Sequence, residues 1–362
     1  MDEKLIIRNF GPIENVELEL RRFNVLIGEN STGKSTVAKV LVSIYSHLES
    51  IVATVAGSMS IPELNDVYHF KNHLSVYEID GYLKAESTIQ LSGKEITFDL
   101  HNNGRSSNIP INVHYNVKYN NTTYIPADRI ATSLFSGATW PGLIDVEEGR
   151  IDMPKYFLRF INLFERLKNG RDEFDFTETL GIRFRQDDGI DKVILRDGSV
   201  ISIHESASAI QSNLSLSVIV DHQSDKSGKT TFIIEEPELN FFPATQNKLM
   251  RYLVDKTMNY GNNMLLTTHS PYILTSLNNM LYAHHVGQIH KEETEHIIDN
   301  KYWINPDDVS VYMLLSNGEC EDIFDRQEGL IKAEKIDGVT NILNEQFSTL
   351  LNLQFSASEF NT

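Results

Sequence analysis

Cys320 is the only cysteine in 362 residues, which excludes a disulfide framework within the chain and a zinc site built on paired thiolates. Long apolar runs are missing too. No stretch reaches the ~18 consecutive apolar residues of a membrane-crossing helix, and the start Met1-Asp2-Glu3-Lys4 lacks the profile of a secretory signal. A soluble, cytoplasmic protein without a membrane partner is expected. Positive charge is scarce: 32 Lys and Arg stand against 50 Asp and Glu, a formal net charge of −18. Nucleic-acid binding by general electrostatics needs Lys and Arg to neutralise phosphates, so the charge does not support it, although a local basic groove stays open. Clusters such as Arg183-Phe184-Arg185 and Arg166-Leu167-Lys168 read as solvated faces. Internal repeats, low-complexity linkers and sustained heptads are absent as well, which excludes a long coiled-coil arm.

What is present is organised around Gly28-Glu-Asn-Ser-Thr-Gly-Lys-Ser-Thr36. The stretch fits G-x-x-x-x-G-K-[ST], with a buried strand (Arg22 to Ile27) before it and a helix from Lys34 after it. Gly28 and Gly33 are expected to take turn conformations closed to other residues, so that successive backbone N–H groups point at an anion near a helix N-terminus. Gly28, Asn30, Ser31, Thr32, Gly33, Lys34, Ser35 and Thr36 are therefore read as nucleotide contacts. Lys34 would reach the β- and γ-phosphates, and the Ser35 hydroxyl would hold Mg²⁺. Bound ATP with Mg²⁺ is the expectation.

Strands are expected at Lys4–Phe10 and Asn15–Leu20, joined at Gly11-Pro12. After the loop, Val37, Val40, Leu41, Ile44, Tyr45, Leu48, Ile51 and Val52 recur at helical spacing and predict a long helix buried along one face. A further helix is expected over Pro62–Leu74. From Val76 to Ile125, short alternating runs (Ser87–Leu91, Glu95–Leu100, Ile111–Tyr115) predict an inserted antiparallel sheet. Tyr156, Phe157, Phe160, Ile161 and Phe164 form a helical core stripe, and strands follow at Gly181–Arg185, Lys192–Arg196 and Val200–Ile203. Strands Thr230–Glu235 and Met264–Thr267 are continuous apolar runs, each leading to a helix that opens with proline, Pro243 and Pro271. Lys291–His296 reads as a solvated turn, and a last amphipathic helix is expected near Lys335 to Leu351. The pattern gives one α/β domain over 1–362: a nucleotide-binding core (1–75 and 215–300), an inserted β-sheet (76–126), a helical lobe (127–214) and a C-terminal extension (301–362).

Three segments are expected to converge on the loop. In Ile233-Ile-Glu-Glu-Pro-Glu238 a carboxylate at the strand end can bind Mg²⁺ and the next can orient or deprotonate water; Glu235 takes the first role and Glu236 the second. His269, at the end of another apolar strand, can meet the γ-phosphate or the attacking water. Lys34, Glu236 and His269 are thus the catalytic candidates, with Ser35 and Glu235 at the metal. Ser208, in Ala207-Ser-Ala-Ile-Gln211, lies at a helix start and reads equally as an N-capped core helix or as a cap on the γ-phosphate held by a second copy.

In this order the segments resemble the Walker A, Walker B and switch-histidine motifs of ABC-type ATPases, with the likeness nearest to bacterial AAA/OLD-like and SMC-like ATPases. Ile7-Arg-Asn-Phe-Gly-Pro-Ile13 and Tyr124-Ile-Pro-Ala-Asp-Arg129 extend it over nearly the whole chain. The resemblance implies an ABC-like P-loop core, a nucleotide-sandwiched homodimer or higher oligomer with Ser208 in the signature position, and an Arg129 segment at the catalytic edge. The sequence departs from the pattern at Ala207, Ala209 and Ile210, where transporters have Leu-Ser-Gly-Gly-Gln, and in the magnesium acid Glu235 where Asp is commoner; slow hydrolysis is the expectation. The roughly 90 residues after His269 are expected to be too few for the nuclease domain of full OLD proteins, so an effector, a nuclease or toxin, is expected as a separate chain. Likeness to ATPase subunits of anti-phage systems implies such a role. A DNA-repair ATPase and a non-hydrolysing ATP-dependent scaffold are the alternatives.

Overall fold

Strands β1 (Glu3–Phe10) and β2 (Ile13–Leu20) pair antiparallel around Gly11, whose φ of +55° suits a residue without a side chain. The computed structural model describes residues 3–56, 67–93, 97–101, 106–108, 121–134, 153–225, 228–332 and 348. Strands β4 (Leu83–Gly93), β5 (Thr97–His101) and β6 (Ser106–Asn108) extend the hairpin into a five-stranded sheet in the order β2-β1-β4-β5-β6. The expected inserted antiparallel strands are present, and they continue the β1–β2 hairpin. β4 lies on the free edge of β1, where it satisfies a row of unpaired backbone groups.

The second sheet carries the loop. Its order is β15-β14-β3-β13-β12-β7, with β3 at Phe23–Gly28, β7 at Asn121–Ile125, β12 at Thr230–Glu235, β13 at Asn263–Thr268, β14 at Val309–Leu314 and β15 at Cys320–Asp322. All neighbours except β14–β15 run parallel. Every residue of β12 and β13 is buried, as continuous apolar strands covered on both faces must be. Two boundaries differ from expectation. β7, expected in the insertion, is the edge strand beside β12, and β14, expected in a C-terminal extension, pairs with β3. β14 is buried along nearly its whole length, whereas β7, Asn-Thr-Thr-Tyr-Ile, buries Thr123, Tyr124 and Ile125 and leaves Asn121 exposed at its start.

Helix α1 (Lys34–Ala56) packs on β3, β7, β12 and β13. Its segment Lys34–Ala53 is long and apolar enough to cross a membrane, but 67% of that window is buried inside the protein, as in a core helix. The expected helix over Pro62–Leu74 is present as α2 (Val67–Val76), its first predicted residues lying outside the described ones. The stretch Ile111–Tyr115 and, apart from residue 348, the stretch Lys335–Leu351 also fall outside them.

In the lobe, α3 (Ala131–Leu134) is followed by α4 (Lys155–Lys168), which buries the stripe from Tyr156 to Phe164 and packs on α5 (Ser208–Ser224). Between them β8 (Phe174–Phe176), β9 (Ile182–Asp187), β10 (Ile190–Leu195) and β11 (Val200–Ser202) form an antiparallel sheet. Lys168 ties helix to sheet by an ion pair at 3.0 Å with Asp191, both side chains fully buried. Helices α6 (Pro243–Met258) and α7 (Pro271–Gly287) start at their prolines; Ser270 caps α7 by accepting from the Tyr272 N–H at 3.2 Å. Lys291–Ile297 is a short, largely exposed helix, α8, not a turn, with Lys291 and Glu295 one helical turn apart at 3.8 Å.

Candidate active site

The parallel strands β3, β13 and β12 end side by side, and each delivers one part of a cluster. β3 opens into the loop before α1, where Ser31 (φ +64°) and Gly33 (φ +98°) both sit in the left-handed region. Gly28 does not require that region; its reason is space. A Cβ there would lie 2.5 Å from the Leu314 carbonyl oxygen on β14. Asn30, Ser31 and Ser35 are exposed on the loop, whereas Thr32, Lys34 and Thr36 are buried. Thr32 braces the loop by donating its hydroxyl to the Glu29 carbonyl at 3.0 Å.

The Lys34 ammonium folds back onto its own loop, donating to the carbonyls of Gly28 (2.8 Å) and Glu29 (2.7 Å), and lies 3.3 Å from His269 Nδ1. His269 Nε2 in turn is 3.0 Å from Glu236 Oε1. With Lys34 donating to Nδ1, the ring proton sits on Nε2 and is donated to Glu236, which fixes the tautomer by its partners. Burial pulls the Lys34 ammonium below its usual range, and Glu236, Glu238 and Glu235 oppose that fall. Glu238 supports the histidine from below: its Oε1 accepts from the His269 N–H (2.9 Å) and the Thr268 hydroxyl (2.6 Å).

Glu235 ends β12 fully inside the protein, and burial holds its carboxyl above the ordinary glutamate value. Tyr124 on β7 donates its hydroxyl to Glu235 Oε1 at 2.8 Å, and Ser35 and Lys39 also favour the ionised form. Glu235 and the Ser35 hydroxyl are hard oxygen donors, one carboxylate and one hydroxyl. That set fits Mg²⁺, which keeps several waters and takes one or two carboxylates together with substrate phosphates. No group of three or more His, Cys, Asp or Glu able to hold a metal occurs among the described residues, and a nucleotide-linked magnesium needs none.

Two residues without a role assigned from sequence join the site here, in the Tyr124–Arg129 segment that the resemblance set at the catalytic edge. Tyr124 donates to Glu235, and the completely buried Arg129 donates to the carbonyls of both Glu235 (2.8 Å) and Glu236 (2.6 Å). Burial lowers the Arg129 guanidinium to about 10, opposed by Glu238, Glu236 and Glu235, so it stays charged at neutral pH. Ser208 takes no part in the cluster; it is exposed in the first turn of α5.

The family model of the AAA ATPase domain matches residues 1–123 and 59–274. The chain belongs to this AAA ATPase family. No curated protein sequence matches this AAA ATPase. Among solved structures it is similar to the SMC head domain from Thermotoga maritima, at 10% identity and a TM-score of 0.41 over 76% of this chain and 92% of that one. It is also similar to an SMC head bound to the C-terminal winged-helix domain of ScpA, at 13% identity and 0.44 over 90% and 99% of the two chains. The ATP-binding cassette MJ1267 of an ABC transporter aligns at 12% identity and 0.40, over 94% and 99%.

Proposed function

We propose that this AAA ATPase binds ATP with Mg²⁺ and hydrolyses it to ADP and phosphate. The observation that carries the reading is the Lys34–His269–Glu236 chain, gathered from the ends of three neighbouring strands onto one phosphate-type loop. Glu236 orients the attacking water and takes its proton as oxygen bonds to the γ-phosphorus and the bond to the β-phosphate oxygen breaks. His269 holds Glu236 on one nitrogen and faces Lys34 on the other, so it reads both the base and the phosphate-binding cation. Lys34, now held by loop carbonyls, exchanges them for phosphate oxygens. Ser35 and Glu235 would hold Mg²⁺, which would supply neutralisation of the phosphate charge.

Exposed Ser208, at the start of a helix whose N-terminal N–H groups favour an anion, completes the site of a second copy in a nucleotide-bound homodimer. Dimer formation and release then control a separate effector chain, a nuclease or toxin, in anti-phage defence, as the resemblance of the motifs implies. Glu236→Gln is expected to lower turnover by about 10²–10⁴-fold while ATP still binds. Ser208→Arg is expected to abolish ATP-dependent dimerisation, read by light scattering, and to leave ATP binding by the monomer intact. Unchanged turnover in the first variant removes the catalytic assignment, and an unaffected dimer in the second removes the composite site.

A further inference from the structure

Arg129 is among the largest completely buried side chains of the protein, yet its hydrogen bonds go to backbone and one amide. Nη1 donates to the carbonyls of Pro126 (3.2 Å) and Glu235 (2.8 Å). Nη2 donates to the carbonyl of Glu236 (2.6 Å) and to Asn213 Oδ1 (3.3 Å). Taking a guanidinium fully out of water is costly unless its hydrogen bonds are made, and here those of Nη1 and Nη2 are made to the Pro126 carbonyl, to the carbonyls at the end of β12 and to Asn213. The fork therefore has a more specific task than packing.

That task is visible at Glu236. Its φ is +44°, in the left-handed region that side-chain-bearing residues seldom adopt. The peptide is held from both sides, the Glu236 N–H on the Thr267 carbonyl at 2.8 Å and the Glu236 carbonyl on Arg129. Asn213 carries the link onward. Its amide donates to the carbonyls of Ala209 (3.1 Å) and Leu239 (3.0 Å), which joins the first turn of α5, beside Ser208, to the turn that follows Glu236. Asn240 adds a bond to the Ser212 hydroxyl at 3.3 Å.

We propose that Arg129 is a positioning residue: its fork fixes the peptide that carries Glu236 and, through Asn213, registers that peptide against the helix that begins at Ser208. The inference rests on Glu236 being the base of the ATPase reading. Lysine cannot replace the fork, because one ammonium cannot reproduce two planar pairs of donors.

The test uses the full chain carrying Arg129→Lys, Glu236→Gln, or both. Arg129→Lys is expected to leave the ATP dissociation constant within about twofold and to lower kcat by about ten- to a hundredfold, the scale of a small misplacement of a catalytic group. In the Glu236→Gln background the same change is expected to have no further effect on kcat. Hydrogen exchange of the amides at 236–241 is expected to quicken while that of α1 stays unchanged. An equal loss of kcat in the Glu236→Gln background, a fall in ATP affinity parallel to kcat, or unchanged exchange at 236–241 would overturn the proposal. If Arg129→Lys does not fold, Asn213→Ala tests the link to the Ser208 helix: exchange at 236–241 is expected to quicken while ATP affinity holds, and unchanged exchange there would overturn the registering role. Absence of turnover in the unmutated protein defeats the ATPase reading alone, and the exchange comparison then decides the positioning role.

Discussion

Tyr124→Phe removes one oxygen atom from the wall of the site. The Tyr124 ring stays packed, because its edge-to-face contacts at 5.3 Å with Tyr77 and 5.8 Å with Tyr156 do not use the hydroxyl. What disappears is the 2.8 Å hydrogen bond to Glu235, a carboxylate that burial already holds above the ordinary value of 4.5. The Tyr124 hydroxyl is itself held well above its usual range by burial and by Glu235, so it remains a donor throughout the working pH range. A hydrogen bond to a charged group contributes about 1.5–3 kcal/mol, and loss of such an outer partner typically lowers metal affinity by about 10–100-fold. The half-saturating Mg²⁺ concentration is expected to rise by about tenfold near neutral pH. The sign of the pH dependence follows from the same bond. Without it the Glu235 carboxyl moves further up, so protons compete harder with the metal; the gap between the two proteins should widen in mildly acid buffer and narrow in mildly alkaline buffer. Mg²⁺ titrations of ATP turnover, paired with titrations of nucleotide-induced melting shifts, measure it. A gap that is absent, or that grows with pH, refutes the reasoning.

Much of the candidate site was readable because its parts are contiguous in sequence. The loop is a run from Gly28 to Thr36, and Glu235, Glu236 and His269 each follow an unbroken apolar strand, which places them at one sheet edge once the strands are parallel. The roles of Tyr124 and Arg129 were not readable, although the resemblance set the Arg129 segment at the catalytic edge. Their partners Glu235 and Glu236 lie more than a hundred positions away, and nothing local distinguishes a buried arginine from a surface one until β7 is set beside β12. The sheet boundaries failed for a related reason. The alternation in β4 marks a strand with one buried face but not its neighbour, and β1 offered a free edge. β14 reads Val-Ser-Val-Tyr-Met-Leu, an alternation that suits a surface strand, yet Ser310 is fully buried because its hydroxyl donates to Asn24 Oδ1 at 2.7 Å inside the sheet. Gly28 shows the same limit at one atom: the Leu314 carbonyl that excludes a side chain comes from the far end of the chain.

Gly28→Ala is expected to destabilise the protein by about 1–3 kcal/mol through overpacking against Leu314 and to weaken ATP binding, checked by urea unfolding and nucleotide titration; an unperturbed variant shows that β14 yields freely. Asp191→Ala leaves the fully buried Lys168 with Glu165 alone, and a loss of about 3–5 kcal/mol is expected; a loss below about 1 kcal/mol, the scale of an exposed pair, means that water reaches the ammonium. Glu235→Gln tests the buried carboxyl through stability. A glutamate whose folded value is raised contributes stability that is present below 4.5 and is lost as pH climbs through the raised value, because the native state must then hold a buried charge. Glutamine keeps an acceptor for Tyr124 and never ionises. Without nucleotide, the variant should match the parent in acid and become progressively more stable than it above that window, as followed by unfolding at several pH values. A difference that is flat or falls with pH means that Tyr124, Ser35 and Lys39 outweigh burial, in which case Glu235 is already ionised and no proton opposes the metal.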